Sequence, residues 1–221
     1  MIKLSSPFDL IKKAINIFFK KENLVYFVKI YLLIVPFAIV TILQGQFAGL
    51  IKNLPEWWSA LIVIIQFPLR VFVSTFVLAA GIEAVRRVAA GGDLSVKSAF
   101  AVARRKYWPF LLLVLILDLI YLLGFILLII PGILAVVWLA FARFIAMDSN
   151  LGIKRVLIRS KEMTKGLYWK ILGRLLVFGV FAFSVKLLSG FLPYGTGQVL
   201  TALAGALFLL PTYLLYKEIS A

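Results

Sequence analysis

Apolar runs of around twenty residues recur along the chain, and no other feature narrows its fold so far. At about 1.5 Å per residue in a helix, each run is long enough to cross roughly 30 Å of hydrocarbon. The sequence predicts six such spans, at residues 24–43, 57–80, 108–129, 132–147, 168–191 and 199–216, within one membrane domain over 1–221. Charged residues make up only 15% of the chain, against about 25% in a soluble domain. The expected fold class is therefore all-α: a polytopic integral membrane protein.

The fourth span is short. Ile130-Pro131-Gly132 separates it from the third, and a single long helix would carry Pro131 inside a ladder that proline breaks. A tight hairpin fits better.

Lys and Arg number 24 against 9 Asp and Glu. They gather before the first span (Lys3, Lys12, Lys13, Lys20, Lys21), between the second and third, and between the fourth and fifth. The opposite side offers Lys52 and Lys186. Positive residues mark the cytoplasmic side, so both termini are expected inside, in a prokaryotic cytoplasmic membrane. The same rule accounts for the net charge of +15 without nucleic acid, for which no binding motif is present. Residues 1–23 lack the apolar core and cleavage site of a signal peptide, so the first span is expected to act as an uncleaved anchor.

Three basic segments have amphipathic spacing. In 6–22, Ser6 and Pro7 suit a helix start, with Phe8, Ile11, Ile15, Phe18 and Phe19 set against Lys12, Lys13 and Lys20. In 94–106, Val96, Ala99, Phe100 and Ala103 share a face, and Arg104, Arg105 and Lys106 follow. In 150–165, Val156, Leu157, Ser160, Met163 and Thr164 oppose Lys154, Arg155, Arg159, Lys161 and Lys165, with Ile158 an exception. Such helices lie at the headgroups with the basic face toward anionic lipid.

Each segment precedes an aromatic pair that opens an odd-numbered span: Tyr26-Phe27, Tyr107-Trp108 and Tyr168-Trp169. Each even-numbered span carries a proline, Pro68, Pro131 or Pro211. This pattern suggests a threefold repeat of interfacial helix plus hairpin, although the middle spacing is four residues shorter than the other two. Aromatic belts and basic loops can also imitate a repeat.

Charges inside the hydrocarbon are the default functional candidates. Arg70 and Asp118 lie near the middles of the second and third spans, which run antiparallel, so the two could form a pair. Either the pair belongs to a solute or proton pathway, or it fixes how two helices pack; sparse polar lining around it favours the second. Lys29, Arg143, Lys170, Arg174 and Lys186 sit near span ends, where long side chains reach the headgroups. With no His and no Cys in the chain, the usual general base and transition-metal ligands are missing. No nucleotide or zinc motif occurs, and no cofactor is expected.

Residues 127–175 read LLIIPGILAVVWLAFARFIAMDSNLGIKRVLIRSKEMTKGLYWKILGRL. Pro131-Gly132 enters a hairpin helix ending at Asp148; Val156-Leu157, Ser160, Gly166 and Trp169 follow at fixed spacing. This stretch resembles the signature of a bacterial multi-spanning family related to the membrane domain attached to some glycerophosphodiester phosphodiesterases. Asp148 stands where that family more often has glutamate. The resemblance implies a fold and a topology. The phosphodiesterase chemistry of such proteins belongs to a separate soluble domain and is not carried over.

The expected role is a non-enzymatic membrane module that organises lipid, itself as a homo-oligomer, or a protein partner through a basic cytoplasmic collar. Two alternatives stand beside it: a small transporter using Arg70 and Asp118, and a membrane subunit for a separately encoded enzyme.

Overall fold

The computed structural model describes residues 4–32, 56–92, 94–189, 191 and 194–220. Every regular element among them is helical: α1 (Pro7–Phe18), α2 (Lys21–Tyr31), α3 (Glu56–Ala90), α4 (Val96–Leu127), α5 (Ile129–Trp138), α6 (Ala142–Asp148), α7 (Ile153–Thr164), α8 (Tyr168–Ser189) and α9 (Tyr194–Ser220). Among the described residues, four segments are long and apolar enough to cross a membrane: Phe67–Ala90, Val96–Leu127, Ile129–Asp148 and Tyr168–Leu188. Residues 33–43 of the first expected span lie outside the described residues.

The helix α1 starts at Pro7, whose missing N–H is no loss in a first turn. Ser6 occupies the cap position, but its hydroxyl makes no cap bond. Leu10, Ala14 and Phe18 are buried, a stripe four residues apart that packs against α8 and α9. Phe8 and Phe19, expected on that stripe, are exposed. The chain then folds back: Phe18 stacks on Phe27 at 5.1 Å, and the Asn23 amide donates to the Ile17 carbonyl at 2.7 Å.

The helix α3 ends on Gly91, at φ 65°. There Gly92 N–H donates to Arg87 O at 2.9 Å and Gly91 N–H to Val88 O at 3.3 Å, the two bonds of a Schellman motif. Ser95 then caps α4, its Oγ accepting from Ser98 N–H at 3.4 Å.

From there α4 runs unbroken for 32 residues, about 48 Å. This corrects the expected separate interfacial helix at 94–106. Ala99, Ala103, Phe110, Leu113 and Leu117 form one buried stripe, so a single helix serves both parts. The chain is interrupted between α1 and α2 at residues 19–20 and between α7 and α8 at residues 165–167, whereas α4 continues without a break.

The hairpin between α4 and α5 turns at Leu128, in extended conformation (φ −165°, ψ 144°), three residues before the expected Pro131. Pro131 falls instead in the first turn of α5, where its missing N–H is harmless. The two helices meet at glycines. A Cβ on Gly132 would stand 2.6 Å from the Phe125 ring, and one on Gly124 only 3.0 Å from Gly132 Cα.

Between α5 and α6 the helix breaks at residues 139–141. Ala142 N–H donates to Leu139 O at 3.1 Å rather than to Trp138, as an α-helix would require. The freed Trp138 carbonyl accepts from Ser160 Oγ at 2.9 Å.

Burial is concentrated at the basic end. There α3, α4, α6, α7 and the C-terminal half of α9 supply a continuous core around Val85, Ala103, Phe141, Phe144, Val156 and Leu215. At the other end Phe125–Ile130 around the hairpin, and Val180, Phe183 and Leu187 on α8, are exposed, as suits an apolar surface in hydrocarbon.

Candidate functional site

Glu83 lies in the apolar run AAGIEAV and its side chain is fully buried. Its carboxylate accepts from Arg86 twice, at 2.8 Å each, and from Arg87 Nε at 2.7 Å. The three residues stand three and four apart on α3, the spacing at which helical side chains meet. Arg86 Nε is also 4.0 Å from Asp148, whose other oxygen is 3.9 Å from Lys217 Nζ. Phe144 stacks on Tyr216 at 5.7 Å and meets Tyr213 edge-on at 5.5 Å, forming an aromatic floor beside the charges. The cluster ties α3, α6 and α9 together at the basic end. Asp148 is thus a bridging carboxylate between two cations. Sequence reading did not single out Glu83, Arg86 or Lys217, although an acid embedded in small apolar residues with arginines three and four ahead was a usable signal.

Lys106 was expected among the lipid contacts; the structure corrects this. Its ammonium turns inward and donates to Met147 O at 2.7 Å, Ser149 O at 2.9 Å and Ala146 O at 3.4 Å. These carbonyls lie at and just beyond the end of α6, where a helix leaves acceptors open and its dipole favours a cation.

Arg174, placed by sequence among the headgroup-reaching residues, also works internally. It donates to Ser5 O at 2.7 Å and 3.0 Å, to Leu4 O at 3.1 Å and to Lys170 O at 2.8 Å. Ser5 N–H in turn donates to Glu218 at 3.1 Å. The segment before α1 is thereby fastened to α8 and to the end of α9.

Ser160 is fully buried and serves the break between α5 and α6, while Lys161 Nζ sits 4.5 Å from the centre of the Trp138 ring. So α7 docks through Val156, Ser160 and Thr164 on protein rather than on lipid. Gly166, at φ 76°, takes the left-handed position after the helix end, which glycine occupies without penalty. Trp169 is exposed.

The expected lipid contacts Lys12, Lys13, Lys20, Arg104, Arg105, Lys154, Arg155, Lys161 and Lys165 all have exposed side chains, around the same end as the Glu83 cluster. Between them lies a cavity of about 750 Å³, walled by α4 from Arg105 to Leu113 and by Asn150, Ile153 and Val156 across from it.

Farther along α4, Asp118 is exposed and its partner is Arg143 on α6, at 3.5 Å, and not Arg70, whose side chain is also exposed, on α3. A cavity of about 230 Å³ adjoins Arg143, with Tyr121 and Thr212 in its wall. Arg143 Nε is buried without a hydrogen-bond partner among the described residues. No group of three or more potential metal-ligating His, Cys, Asp or Glu occurs among the described residues.

No protein-family model, curated protein or solved structure matches the chain.

Proposed function

We propose that this chain is a non-enzymatic module of a prokaryotic cytoplasmic membrane, with six spans and both termini inside, that organises anionic lipid around its basic end. The supporting observation is a division of labour among the cations. Arg86, Arg87, Lys106, Arg174 and Lys217 are spent on internal contacts and Lys161 lies over the Trp138 ring, whereas the other eight exposed Lys and Arg side chains around them are left to face headgroups. Each such charge near an anionic surface contributes about 1 kcal/mol, weakening with salt. The three-unit repeat belongs to the same proposal, with the middle unit lacking the break found in the other two.

Spin-labelled lipids in a reconstituted phosphatidylglycerol–phosphatidylcholine bilayer test it. The immobilised shell should favour phosphatidylglycerol. Changing Lys154, Arg155, Lys161 and Lys165 together to Gln should reduce that preference severalfold, as should molar salt. An unchanged preference in the fourfold variant would refute the collar.

The pair Asp118–Arg143, beside its cavity, favours a second reading as a small permease. That reading requires Asp118→Asn to abolish a solute or proton flux measurable in proteoliposomes.

A further inference from the structure

The 750 Å³ cavity beside α4 has the size of a small-molecule site, and its lining changes character along one direction. Arg105 and Lys106 stand at its basic end; Pro109, Phe110 and Leu113 follow down the same wall of α4. From Arg105 to Leu113 is about 12 Å of helix, running from the charged end of the bundle toward the apolar one. Asn150 faces this wall from the loop after α6, and Ile153 and Val156 face it from α7. A site that is cationic at one end and apolar at the other fits an amphiphile whose anionic group stays at headgroup level.

The two cations differ in what they can offer. The Lys106 ammonium has three N–H donors, and three carbonyls already take them, so it contributes charge but no bond. Arg105 is exposed, and among the described residues no carboxylate stands within ion-pair distance of it. Its planar guanidinium can hold two oxygens of a phosphate at once. Asn150, also exposed, can add an amide donor from the opposite side.

We propose that this cavity binds one anionic phospholipid, with its phosphodiester between Arg105 and Asn150 and an acyl chain along Pro109, Leu151 and Ile153, the lining residues that keep accessible surface. The site rests on the lipid-organising function proposed above and narrows it from a diffuse collar to one defined place.

Native mass spectrometry of the delipidated full chain in mild detergent, titrated with dioleoylphosphatidylglycerol, tests the site. One lipid should bind at least tenfold more tightly than the next and than dioleoylphosphatidylcholine. Arg105→Gln should weaken that first adduct about tenfold, Arg105→Lys less, and Asn150→Trp should exclude it by filling the cavity mouth. Both positions are exposed, so the variants should keep the helical circular dichroism of the parent. The fourfold Gln variant of α7 should lose the weaker adducts and keep the first. Loss of the first adduct in that variant, with Arg105→Gln silent, would move the tight site to the collar and overturn the cavity. Equal binding of phosphatidylcholine would overturn the headgroup assignment. Displacement of the lipid by millimolar inorganic phosphate would leave a free-anion site in its place.

Discussion

Replacing Glu83 by Gln should be among the most damaging isosteric changes in the chain. The carboxylate is fully buried and accepts three charge-assisted hydrogen bonds from Arg86 and Arg87 at 2.7–2.8 Å. A Gln side chain keeps the volume but turns an N–H₂ group toward one guanidinium and removes the carboxylate charge that Arg86 and Arg87 share. Breaking a buried ion pair by removing one partner costs about 3–5 kcal/mol. Here the side chains of Arg86 and Arg87 retain 40% and 20% exposure, so water offsets part of the loss and the expected cost is about 3 kcal/mol. Removing the whole cluster should be much milder. With Glu83→Leu, Arg86→Met and Arg87→Met combined, no charge is left buried alone, and such apolar replacements run near neutral or better. Asp148 keeps Lys217 at 3.9 Å, so the triple variant should fall within about 1 kcal/mol of the parent. Reversible unfolding in mixed micelles with rising SDS fraction, followed by tryptophan fluorescence, gives both numbers. A loss below about 1 kcal/mol for Glu83→Gln, or a triple variant as unstable as the single one, would refute the claim that an uncompensated buried charge sets the cost.

Other substitutions probe separate contacts with the same unfolding assay. Ser160→Ala leaves the Trp138 carbonyl without its donor and should cost about 1–2 kcal/mol, with faster hydrogen exchange at residues 139–144. Gly166→Ala, at φ 76°, should cost about 1 kcal/mol, because an L-residue is disfavoured there. Gly132→Ala drives a methyl into the Phe125 ring, 2.6 Å away; the defect should be largely relieved by adding Phe125→Ala, which a double-mutant cycle would register as coupling of at least about 1 kcal/mol. Lys106→Met should uncouple α4 from the end of α6 at a cost of about 1–2 kcal/mol, and unchanged stability would mean that its three carbonyl contacts are solvated as well without it.

Features whose cause is local were legible in the sequence. Pro7 opens α1, and the amphipathic segment expected at 150–165 forms the helix Ile153–Thr164, each for a reason contained within a few residues. Two of the failures share one cause, the rotation of about 100° per residue along a helix. Arg104, Arg105 and Lys106 form a uniform basic block in the sequence, yet Arg104 and Arg105 are exposed while Lys106 turns onto α6. Asp118 and Arg70 were matched by depth alone; which face of α4 meets which neighbour is set by the whole bundle, and it gives Asp118 to Arg143. The break at residues 139–141 has no Pro or Gly to announce it. It depends on Ser160, 22 residues from Trp138, supplying the hydrogen bond that the helix gives up.

The distribution of these contacts follows from the solvent. In hydrocarbon, lipid tails compete with apolar side chains on equal terms, so helices cohere through packing and polar contacts rather than through the hydrophobic effect. The end around the α4–α5 hairpin accordingly leaves Leu122, Phe125 and Leu187 exposed, and the polar contacts gather at the basic end. Glu83, Asp148, Lys106 and Arg174 fasten α3, α4, α6, α8 and α9 to one another at that end. The exposed cations of α1, α4 and α7 therefore project from the best-packed part of the molecule. Under the lipid-organising role proposed above, an anionic headgroup arriving there would meet charges whose backbone positions are already fixed, and less of its binding energy would be lost to ordering the protein.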